Sequence, residues 1–84
     1  MSNSSTDEIK KQILSKLFRG LYIGEKHTAE DTVLRNFKNQ RQASKAIKEL
    51  LKSGLVVPKP TRTGKHVSLN KNRIAEIKKI IGIL

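Results

Sequence analysis

The sequence predicts an α+β, mainly helical domain, with a three-helix core, a two-stranded β-hairpin and a C-terminal helix. Up to Gly54, apolar residues recur at three- and four-residue spacing, the period of a helix with one buried face. After Gly54 the pattern turns extended, Val67 and Leu69 alternating with His66 and Ser68, and helical spacing returns from Ile74. Capping and turn residues mark the boundaries, at Ser5, Thr28, Gly54 and Asn70.

Residues 1–4 read as a disordered tail, and residues 5–84 as a single domain. Ser5-Thr6-Asp7-Glu8 has the form of a capping box whose acids suit the positive end of a helix. The first helix then covers about 6–19, with Ile9, Ile13, Leu14, Leu17 and Phe18 on one face, Lys10, Lys11 and Lys16 in water, and Gly20 as its stop. Thr28 is the expected cap of a second helix over about 29–36, with Ala29, Val33, Leu34 and the following Phe37 inward and Glu30 and Asp31 in its first turn. Lys38-Asn39-Gln40 breaks the pattern. A third helix follows over about 40–53, burying Ala43, Ala46, Ile47, Leu50 and Leu51 and closed by a left-handed Gly54 with Leu55 behind it. Residues 55–69 form the hairpin, whose first arm carries Pro58 and Pro60 and is therefore an edge strand. Asn70 caps the last helix, about 71–82, with Ile74, Ile77, Ile80 and Ile81 apolar and Lys71, Arg73, Lys78 and Lys79 exposed.

A short helix, a three-residue break and a longer helix make a helix-turn-helix, and a hairpin directly after the longer helix is a wing, so the order of elements predicts a winged helix-turn-helix. The run from Gln42 to Val56, in which an amphipathic helix ends in Leu50-Leu51-Lys52-Ser53-Gly54-Leu55-Val56, resembles the recognition helix and following strand of winged-helix transcription regulators. His27-Thr28, Glu30-Asp31, Pro60-Thr61, a tip Gly64 and Val67-Ser68-Leu69-Asn70 resemble a group of small archaeal winged helix-turn-helix DNA-binding proteins. That resemblance spans roughly residues 7–81 and implies the fold and a regulator-type DNA-binding role, without a defined target.

Charge points the same way. Between Arg35 and Arg73 eleven basic residues face one acid, Glu49, a local charge of +10 out of the chain's +11. Such a block attracts polyanions, because each phosphate it neutralises releases a condensed counterion. On a helical wheel the third helix turns Arg41, Gln42, Lys45, Lys48 and Lys52 outward. In a helix-turn-helix the first half of this helix enters the major groove, so Arg41, Gln42 and Lys45 are the expected base contacts, with Ser44 as a helper. Lys48 and Lys52 are expected on phosphates, as are Lys38 and Asn39 in the turn and Lys59, Arg62 and Lys65 on the wing. The predicted function is therefore a double-stranded DNA-binding protein, a transcription regulator.

Structured RNA is an alternative partner. The only aromatics, Phe18, Tyr22 and Phe37, lie in apolar stretches, which speaks against stacking on single strands. A third reading is a protein-interaction module working through the isoleucine-rich last helix. Its apolar side chains, Ile74, Ile77, Ile81 and Leu84 among them, suit either a homodimer interface or packing back on Ile9, Ile13 and Leu17 of the first helix.

Other classes find little support. Neither histidine has a second ligand at metal-binding spacing, and the chain has no cysteine, so no metal or cofactor is expected. His27 is expected to pack or hydrogen-bond at the entrance of the second helix, and His66 to lie on the DNA side of the wing. Acid pairs sit at helix starts, where the dipole accounts for them, and no phosphate loop or nucleophile motif is present, so the chain is not expected to be an enzyme. No apolar run is long enough for a membrane span and Met-Ser-Asn-Ser-Ser has no signal-peptide character, so a cytoplasmic protein without membrane contact is expected.

Overall fold

The computed structural model describes residues 2–62 and 64–82. The chain runs α1 (Ser2–Arg19), β1 (Thr28–Ala29), α2 (Glu30–Leu34), α3 (Gln40–Ser53), β2 (Val56–Thr61), β3 (Gly64–Leu69), a 3₁₀ turn (Lys71–Arg73) and α4 (Ile74–Ile81). It is an α+β, mainly helical fold, in which the described residues form four α-helices and one small antiparallel sheet in the order β1-β3-β2.

The predicted periodicities explain the packing. Ile13, Leu14 and Leu17 of α1 meet Ala43, Ala46, Ile47 and Leu50 of α3 in a continuous buried cluster. Val33 and Leu34 of α2 close one side of it, and Val56, Val67 and Leu69 of the hairpin close another. Gly54 adopts the left-handed conformation (φ 85°) and returns its N–H to the Leu51 carbonyl, as its position at the end of an amphipathic run requires. Asn70 fixes the exit of the hairpin. Its Oδ1 accepts from Asn72 N at 2.9 Å, and its amide donates to the Gly54 carbonyl at 2.8 Å, tying the end of β3 to the end of α3.

Several boundaries differ from the sequence expectation. The backbone is helical from Ser2, so residues 2–4 belong to α1 and Ser5 is not a cap. Gly20 does not supply the left-handed turn after α1. Leu21 does, at φ 58°, while a Cβ on Gly20 would overlap the Tyr22 ring. Thr28 is a strand residue rather than a cap: Thr28 pairs with Val67 and Ala29 with His66, so the sheet has three strands instead of two. The N-cap of α2 is Ala29, which makes no side-chain cap bond.

Helix α2 also ends early, at Leu34. The Gln40 amide donates at 2.6 Å to the carbonyls of both Leu34 and Phe37, satisfying groups that a longer helix would otherwise pair. The last helix begins only at Ile74, after the 3₁₀ turn. Ile77 is fully buried against the core, and Ile74 and Ile81 are half-buried beside it. Ile77 therefore belongs to the chain's own interior and is withdrawn from the expected dimer surface. Leu84 lies outside the described residues, as do Met1, Thr63 and Ile83.

Among the described residues no helix is long and apolar enough to cross a membrane.

Candidate nucleic-acid interface

The candidate interface is built on α3. Asn39 caps it, its Oδ1 accepting from Gln42 N at 3.0 Å, so the side chain expected to reach a phosphate is committed, through that oxygen, to starting the helix. From there the helix turns about 100° per residue. Arg41, Lys45, Lys48 and Lys52 are all exposed. They fall within an arc of roughly 60° that faces away from the buried strip of Ala43, Ala46, Ile47 and Leu50. Gln42 and Ser44 are half-buried on the two flanks of that arc. Lys38 is exposed in the turn before the helix.

Glu49, the single acid between Arg35 and Arg73, is not directed into the arc. Its Oε1 takes Lys10 Nζ of α1 at 2.6 Å, a contact that bridges two packed helices. That hydrogen bond holds the Glu49 carboxyl below the usual carboxylate range against some desolvation, and the charges of Lys10, Lys45 and Lys52 act in the same direction as the bond.

The hairpin flanks α3 across a groove of about 350 Å³. Lys48 and Leu51 form one wall; Pro58, Pro60, Lys65 and Val67 form the other, with Glu30 and His66 also lining it. The strand alternation explains who is here. Pro58 pairs with Val67 and Pro60 with Lys65, so these four share the face toward α3. Lys59 therefore points to the opposite face, where it lines a separate crevice with Glu25, Val57 and Lys71. The structure thus brings Lys48 and Lys65 to one groove and turns Lys59 away from it. Arg62 is exposed at the turn between β2 and β3, beyond the end of the groove.

The two histidines, 39 residues apart, meet. Their Nδ1 atoms are 2.8 Å apart with the rings edge to face, one donating and the other accepting. The contact ties the residue before β1 to β3. Nothing local in the sequence signals it, because it depends on the pairing of a two-residue strand. Among the described residues no three His, Cys, Asp or Glu side chains are grouped to hold a metal ion. A concave feature of about 420 Å³ between α1 and the turn after α2 is lined by Lys16, Arg19, Gln12, Ser15, Asn36 and Phe37, without a carboxylate or histidine.

Lys10 is the residue that sequence reasoning passed over. It reads as one more solvated lysine on the outer face of α1, and only the packing of α1 on α3 shows its partner.

Compared with known proteins, the chain matches no family model, no curated protein and no solved structure.

Proposed function

We propose that this chain is a winged helix-turn-helix protein that binds double-stranded DNA as a sequence-selective regulator, acting by binding rather than by catalysis. In this reading α3 is the recognition helix and the β2–β3 hairpin is the wing. The observation that carries it is the segregation of charge on α3: one side of the helix is wholly apolar and buried, and the opposite ridge is four cations with no acid among them. A ridge of that kind matches a groove walled by phosphates.

In this reading Arg41 and Lys45, in the first half of the helix, read guanine O6 and N7. Lys48 and Lys52, one and two turns farther on, suit phosphates, and Lys65 meets the same strand from across the groove. Gln42 and Ser44, partly covered, contribute less than Arg41 and Lys45. Duplex is favoured over single strands because Phe18, Tyr22 and Phe37 are all half-buried against the core, which limits how far their rings can serve as a platform for unpaired bases.

Fluorescence anisotropy with a duplex DNA, a duplex RNA and a single strand of matched sequence, each over a range of salt, tests the proposal. The expected result is tightest binding to duplex DNA, with log K falling linearly in log salt by about 0.9 per phosphate neutralised. Arg41→Ala should flatten the preference among duplex sequences. Lys52→Ala should weaken all duplexes alike and make the salt slope shallower by about 0.9. Affinity that ignores salt, or that favours the RNA duplex, overturns the reading.

A further inference from the structure

We infer that Lys10, on α1, is a positioning residue for the nucleic-acid face: it clamps the Glu49 carboxylate against α1 and so keeps it from neutralising Lys45 and Lys52. The inference rests on the DNA-binding reading of α3 given above.

Glu49 is the one residue able to cancel part of the basic ridge from within. Lys45 lies four residues before it and Lys52 three after, spacings at which side chains on a helix meet. Both lysines are exposed. A carboxylate free to swing between them would occupy one cation that a phosphate needs.

Lys10 wins this competition for three reasons. Its Nζ is 2.6 Å from Oε1, and it arrives from a neighbouring helix whose position is set by the buried contacts of α1 with α3, not by its own side chain. The pair lines a largely apolar crevice with Leu14, Leu50, Leu55 and Ile80, to which Asp7 also contributes, and it is partly shielded from water, the Lys10 and Glu49 side chains being 28% and 40% exposed. Of the two on-helix alternatives, Lys45 before Glu49 at i,i+4 has the weaker orientation for such pairs, which leaves Lys52, three residues after Glu49, as the one Lys10 must outcompete. The lowered titration of the Glu49 carboxyl, caused first by the Lys10 hydrogen bond, agrees with that order of partners.

The test compares the wild-type chain with K10M, E49Q and K10M/E49Q, measuring the dissociation constant for one duplex DNA across salt and the thermal unfolding of each. Methionine keeps most of the lysine stem on the apolar rim, and K10R, which retains the charge, should bind as wild type does. Near 0.1 M salt K10M is expected to bind about five- to tenfold more weakly, the worth of one phosphate contact, with a slope shallower by about 0.9. E49Q should bind at least as tightly as wild type. In the E49Q background, Lys10→Met should have no further effect. By NMR, the Glu49 side-chain carboxyl should titrate at higher pH in K10M than in wild type, which checks the pair itself, while the disappearance of the Lys10 effect on binding in the E49Q background is the result that a merely structural role would not produce.

A double variant as weak as K10M would mean that Lys10 touches phosphate itself, and the clamp would be wrong. Weaker binding by E49Q, or unchanged binding by K10M, also overturns it. Wild-type protein that binds no duplex at all removes the DNA-binding reading and this inference with it, whereas normal wild-type binding with no Lys10 effect removes only the clamp.

Discussion

Two neighbouring residues at the end of α1 divide between them what one glycine was expected to do. Gly20 is the sequence's natural helix stop, yet the left-handed turn falls on Leu21, which is 61% exposed. The glycine is needed for space, because the Tyr22 ring lies where a Cβ on residue 20 would stand. Gly20→Ala should therefore cost about 1–3 kcal/mol, the range for forcing atoms into a packed site. Leu21→Gly should cost nothing and gain up to about 1 kcal/mol, since a left-handed conformation is unfavourable for leucine and little of its side chain is buried. Urea unfolding of the two variants checks both signs. Ser68 is a second such position. It is fully buried, and its hydroxyl donates to the Gly24 carbonyl at 3.0 Å, holding the loop before β1 to β3. Ser68→Ala leaves that carbonyl short of a donor and should cost about 1–3 kcal/mol in the same measurement.

At the scale of elements, α3 was the most legible part of the chain, because fourteen residues give nearly four turns in which buried and charged positions separate cleanly. Both its buried strip and its basic ridge follow from spacing alone. The hairpin was legible for a similar reason, through the alternation around Val67. What could not be read was short or distant. β1 is two residues long, too brief to alternate, and exists only because β3 is there to pair with it. The early end of α2 depends on the Gln40 side chain reaching back to Leu34, and the Lys10–Glu49 and His27–His66 contacts depend on which elements pack together. Asn39 shows how an element can reassign a residue. The sequence offers it as a phosphate contact, whereas the structure makes it the cap of α3. Asn39→Ala should thus lower stability by about 1 kcal/mol. Asn39→Asp, an equally good cap that adds a negative charge beside Lys38 and Arg41, should leave stability within about 0.5 kcal/mol of wild type while weakening duplex binding. A loss of binding in Ala with no loss of stability would restore the direct-contact role.

On the proposed DNA-binding reading, the size of the whole molecule sets how many copies a length of duplex can hold. Its longest dimension is 38 Å. At about 3.4 Å per base pair that dimension covers roughly 11 base pairs, close to one turn of the duplex. The isoleucine-rich last helix had suggested a second protomer, but Ile77 is in the core, Ile74 and Ile81 lean on it, and of the described isoleucines only Ile80 is exposed, at 38%. Two copies also bring together blocks of +10 each, whose repulsion DNA neutralises only as far as each copy covers its own phosphates. These facts predict independent binding. Affinity should rise with duplex length and level off near 11 base pairs, and a duplex of about 22 base pairs should take two copies without cooperativity, as read by sedimentation or native mass spectrometry across a length series. Cooperative loading of the longer duplex, strongest on an inverted repeat, would instead show that copies meet through a surface other than Ile77, with Ile80 the first position to substitute.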